Sequence, residues 1–142
     1  MSVEVRRVDY YHVTVRDRPG AAFRLLSRLA RDQVNLLAFG AAPAGPDCAQ
    51  LTVFPDDSGR LAASAERAGL TLEGPHAALL VRGDDRLGAL AELHRRLADA
   101  GINVYSSHGV STGGGSFGYL LYLRPDDVER ALAVLGEGAA PR

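Results

Sequence analysis

The sequence repeats itself at a fixed offset, and that repeat constrains the fold more than any other feature. Arg16-Asp17-Arg18-Pro19-Gly20-Ala21 returns 68 residues later as Asp84-Asp85-Arg86-Leu87-Gly88-Ala89. The same offset carries Leu25 to Leu93, Leu29 to Leu97, Val34 to Ile102 and Asn35 to Asn103, the only two asparagines in the chain. Pro55-Asp56-Asp57 returns as Pro125-Asp126-Asp127 at an offset of 70, so two residues have been added in between. The Gly113-Gly114-Gly115 run is where such an insertion costs least. This ordered series implies two copies of one module of about 70 residues, 1–68 and 69–142. Length alone, 142 residues, would have suggested one ordinary domain.

Each copy has the same order of elements. His12 to Arg16 alternates as a half-buried strand does, and Asp17-Arg18-Pro19-Gly20 is a turn. Ala22, Leu25, Leu26 and Leu29 follow at helical spacing. Val34–Phe39 and Gln50–Phe54 are strands on either side of a loop rich in Pro and Gly. Asp57 or Ser58 caps a second helix that Gly69 stops. In the second copy, His76–Arg82, Leu87–Ala100, Ile102–Val110, Phe117–Leu123 and a helix to Leu135 repeat the series. The fold class is α+β: two ferredoxin-like βαββαβ modules with antiparallel sheets and helices on one face.

The fourth strand is the irregular part, because the tail from Glu137 to Arg142 is not strand-like. Ser2–Arg6 and Leu70–Glu73 both have strand character, and only Gly74-Pro75 separates the second from His76. A two-residue turn predicts a hairpin, so each module is expected to carry its edge strand at its front. In the other arrangement Leu70–Glu73 closes the first copy in the usual order.

Composition removes several chemistries. All 16 basic residues are Arg, so no lysine is available for a Schiff base or a P-loop. No apolar run is long enough to span a bilayer, and no signal-peptide pattern is present, so a cytoplasmic protein without membrane contact is expected. Cys48 is the single cysteine, and no CxxC pair exists. His12, His76, His94 and His108 lack the i, i+4 spacing of helical metal ligands, so no metal site and no cofactor are expected. No triad order or catalytic carboxylate pair emerges, which points away from an enzyme.

The matched loops are the candidate site. A loop entering a helix N-terminus presents free N–H groups that attract a carboxylate or phosphate. Gly20 and Gly88 remove a side chain there, and the amide of Asn35 or Asn103 suits a zwitterion. The candidate ligand residues are therefore Asp17, Arg18, Pro19, Gly20, Ala21 and Asn35 in the first copy. In the second they are Asp85, Arg86, Gly88, Ala89 and Asn103.

The loop, the apolar helix and Gln33-Val34-Asn35-Leu36 together resemble the start of an ACT domain. Asp85-Arg86-Leu87-Gly88-Ala89-Leu90 with Ala100-Gly101-Ile102-Asn103-Val104 resembles a second one, with Leu87 where the family's loop usually has Pro. The resemblance covers residues 8 to 135 or so and implies a non-catalytic regulatory protein that binds a small molecule, most often an amino acid. It also implies a ligand held between ACT domains, paired within one chain or across a homodimer, and action through a partner metabolic enzyme.

RNA-recognition domains share the topology, and Phe117-Gly118-Tyr119-Leu120-Leu121-Tyr122 partly resembles their aromatic strand. Against nucleic acid stand the net charge of −1, the missing basic residue before Phe117 and the lack of an aromatic in Ala78-Leu79-Leu80-Val81.

Overall fold

The computed structural model describes residues 3–139; Ser2 of the expected first strand and residues 140–142 of the tail lie outside them. Six strands and four helices follow in order: β1 (Val3–Arg16), α1 (Ala21–Arg31), β2 (Leu36–Pro43), β3 (Cys48–Pro55), α2 (Ser58–Ala68), β4 (Glu73–Asp84), α3 (Ala89–Asp99), β5 (Ser106–Ser111), β6 (Ser116–Tyr122) and α4 (Val128–Ala139). A single 3-10 turn, Pro125–Asp127, precedes α4.

The chain divides into two compact units. One comprises Asp9–His76, and the other is formed by the chain before and after it. The expected division at 68/69 gave the N-terminal segment to the first copy, whereas Val3 packs with Leu79, Val81, Leu93, Leu97 and Leu121 of the second. The missing last strand of the second copy is thus the first segment of the chain. Leu70 and Leu72 form no strand but pack against Val13, Leu25, Leu29, Leu51, Val53 and Leu61 of the first copy. The hairpin expected at Gly74-Pro75 does not form, because both residues lie within β4. β1 and β4 are each one long strand divided between the units.

In the 9–76 unit β1 pairs antiparallel with β3 (Arg16 opposite Cys48, Tyr11 opposite Val53), and β3 pairs with β2 (Ala49 opposite Pro43, Pro55 opposite Leu36). In the other unit β4 pairs with β6 and β6 with β5, all antiparallel. The helices cover the apolar faces. Leu25, Leu29 and Leu61 are nearly fully buried in one unit, and Leu93, Leu97 and Leu135 in the other. Each Leu-sized side chain so buried contributes roughly 1.5–3 kcal/mol relative to exposure.

The repeat is reproduced bond by bond. Val34 N–H donates to the Leu29 carbonyl and Ile102 N–H to that of Leu97, both at 2.9 Å. These residues, expected to open strands, instead close the preceding helices with a buried side chain, and the strands start later. Asp57 caps α2 as expected, its carboxylate accepting from Arg60 N–H at 3.2 Å. In the second copy Asp126 and Asp127 fall within the 3-10 turn.

Candidate functional site

Both candidate loops form as expected. Gly20 and Gly88 occupy the N-cap positions of α1 and α3 with left-handed backbones, φ 90° and 81°, and no side chain caps either helix. Only glycine takes this conformation without strain, and it leaves N–H groups of the first turn open. Each loop is fixed by one more repeated bond, Asp17 N–H to the Asp47 carbonyl and Asp85 N–H to the Gly115 carbonyl, both 3.0 Å. Asp17, Arg18, Pro19 and Gly20 are exposed and Ala21 half-buried; Asp85, Arg86 and Gly88 are exposed and Ala89 buried.

The asparagines do not join these loops within a copy. Register puts the 17–20 loop at the Cys48 end of β3, whereas Asn35 precedes Leu36, which lies opposite Pro55 at the other end. The 11 residues of α1 separate the two, about 16 Å at 1.5 Å per residue. Asn35 Nδ2 instead donates to Asp56 Oδ2 at 3.3 Å, beside the N-terminus of α2. Asn103 is exposed at the corresponding end of the second copy. A single small ligand therefore cannot meet Gly20 and Asn35, or Gly88 and Asn103, from one copy.

Each loop opens onto a cavity instead. The first, about 490 Å³, runs along α1 and is lined by Arg16, Arg18, Ala21, Arg24, Leu25, Arg28 and Arg31, closed by Val15, Ala68 and Leu70. Arg28 is held by Asp32 at 3.0 Å. Among the described residues no carboxylate lies within ion-pair distance of Arg16, Arg18, Arg24 or Arg31. Such a volume suits a small metabolite, and four uncompensated guanidinium groups suit an anion. The second cavity, about 720 Å³, is lined by Asp85–Ala91, Gly109–Ser111 and Phe117. Here Asp85 Oδ2 accepts from Ser111 Oγ at 2.7 Å, and Leu87 and Val110 are strongly exposed.

The Arg24, Arg28, Arg31 series was visible as one helical face, but its meaning depends on Val15 and Leu70, which the fold brings beside it. The histidines also differ from expectation. Helical spacing found no metal set, yet strand pairing gathers His12 and His76 with Glu73, their ligand atoms all within 4.8 Å of one another. His94, half-buried on the face of α3 where the first copy has Leu26, bonds Tyr119 Oη at 2.7 Å, and Tyr119 donates on to Ser107 Oγ at 2.9 Å. Cys48 is half-buried at the start of β3. Phe117 and Tyr119 belong to the core, so they offer no stacking platform for RNA bases. No described helix is long and apolar enough to cross a membrane.

No protein-family model matches the sequence, and no curated protein does. Solved structures do match. Protein BT0572 of Bacteroides thetaiotaomicron aligns over 94% of this chain and 90% of its own, with 16% identity and a TM-score of 0.79. The ligand-free regulatory subunit of aspartate kinase from Thermus thermophilus aligns over 96% of both chains, with 16% identity and a TM-score of 0.63. The aspartokinase alpha and beta subunits align over 96% of both chains, with 20% identity and a TM-score of 0.56. The chain thus shares the fold of these proteins, the regulatory subunit of aspartate kinase among them.

Proposed function

We propose that this chain is a non-catalytic regulatory protein that binds an amino acid, and that the first copy selects one with an acidic side chain. The observation that carries this is the α1 cavity, where a glycine-capped helix N-terminus and four unpaired arginines face one space. An acidic amino acid brings two carboxylates to such a site, and each charge-assisted bond contributes roughly 1.5–3 kcal/mol. Asn35 and Asn103 can add to a loop-bound ligand only from a different module. That is the arrangement a homodimer provides, with ligand held between ACT modules.

Likeness to aspartate kinase regulatory subunits supports a metabolic enzyme as the partner, with the ligand acting through it in the cytoplasm. The ligand would shift two arrangements of the protein by its differential affinity for them.

A thermal-shift screen of the common amino acids tests the proposal. Aspartate or glutamate at 100 times its Kd should add about 2.7 kcal/mol of stability. Arg24→Ala should abolish the shift, and Asn103→Ala should weaken it if the module interface contributes. No shift from any amino acid overturns the reading.

A further inference from the structure

We propose that His12, Glu73 and His76 form a binding site for one divalent transition-metal ion of the zinc type, separate from the α1 cavity. His12 is far in sequence from Glu73 and His76, and the three meet because β4 lies beside β1. Their ligand atoms already lie within 4.8 Å of one another. Metal–ligand bonds of about 2.0–2.2 Å in a tetrahedral site require ligand atoms about 3.3–3.5 Å apart, which side-chain rotation alone can supply. Two imidazoles and one carboxylate suit zinc and its neighbours in the first transition row. Magnesium and calcium prefer oxygen donors throughout.

The surroundings prepare the donors. Thr52 Oγ1 lies 3.0 Å from His12 Nδ1. With Nδ1–H donating to that hydroxyl, Nε2 keeps its lone pair for a metal, the usual outer support of a histidine ligand. His76 Nε2 and the Glu73 carboxylate are already hydrogen-bonded to each other, so both donors face the same point. Tyr10 forms one wall, its ring centroid 5.4 Å from that of His12 and 5.1 Å from those of His76 and Phe54. Three protein ligands leave a position for water.

The site belongs to one copy only. At the repeat offset His12 becomes Leu80, so one ion per chain is expected.

The test uses the full chain, stripped with chelator and titrated with zinc chloride and with cobalt(II) chloride. The expected result is one equivalent bound, with a visible cobalt spectrum of tetrahedral type. His12→Ala and His76→Ala should each weaken zinc by about 100-fold or more, and Thr52→Val by about 10-fold. Glu73→Gln, an exposed change that spares the fold, should also weaken zinc. His94→Ala and His108→Ala should leave binding unchanged, with circular dichroism confirming that each variant is folded. No stoichiometric binding by the wild type overturns the proposal, as does zinc binding that survives Glu73→Gln together with His12→Ala. The α1 cavity contains none of these residues, so amino-acid shifts in Glu73→Gln report on the proposed function independently.

Discussion

Helices α1 and α3 descend from one repeated segment and carry opposite charges at matched positions. Arg16, Arg24 and Arg31 in the first copy correspond to Asp84, Glu92 and Asp99 in the second. In the second copy the charges are neutralised along the helix: Arg95 pairs with Glu92 at 2.7 Å and Asp99 at 2.8 Å, and Arg96 pairs with Glu92 at 3.2 Å. In the first, Arg16, Arg24 and Arg31 line a cavity that no acidic residue lines. The packing positions did not diverge, since Leu25 and Leu29 match Leu93 and Leu97, all buried. Duplication kept the interior and changed the surface, so one half is equipped for an anion and the other is balanced within itself. The net charge of −1 does not reveal this, because it sums over the whole chain.

The comparison can be broken at its shared part first. Leu29→Ala and Leu97→Ala should each cost about 2–5 kcal/mol in urea unfolding. A near-neutral result at either would mean that the two interiors are not equivalent. The next test exchanges charges. Arg24→Glu gives the first copy the residue of the second and should weaken aspartate or glutamate binding about 100-fold by calorimetry. Glu92→Arg should leave that binding unchanged.

Helix starts sharpen the contrast further. Asp57→Ala removes the side-chain cap of α2 and should cost about 1 kcal/mol in thermal unfolding. Asp127→Ala should cost less, because the 3-10 turn at that place has no side-chain cap. The smallest stability effect concerns Glu92, whose carboxyl is drawn down to about 2, chiefly by the hydrogen bonds from Arg95 and further by Arg96. Its folded-state pKa is depressed, so its stabilising contribution is present above the ordinary value of 4.5 and is lost as pH falls toward about 2. NMR titration should find that midpoint, and Arg95→Ala should raise it toward 4.5.

Local signals made most of the fold legible. Alternation, helical spacing and the left-handed glycines recur in both copies, so each element could be read twice. The first segment was assigned to the wrong module, because Val3 and Val5 would satisfy either module's edge and only packing decides. The loop residues Gly20 and Gly88 were legible as helix caps. Joining Asn35 to Gly20 failed because nearness to a helix end in sequence does not say which end of the sheet it reaches. The His12, Glu73, His76 cluster was hidden because its members meet only across paired strands.

The division of β1 between the units has a consequence for synthesis. Residues 3–8 leave the ribosome long before Leu79, Val81 and Leu121, against which Val3 packs. They must wait, extended and apolar on one side, until most of the chain has followed. The 9–76 unit has every strand it needs within one continuous stretch and can fold while the rest is being made. The second unit closes over the whole intervening segment, Asp9–His76, before its sheet is complete, and that late closure should set the pace of folding.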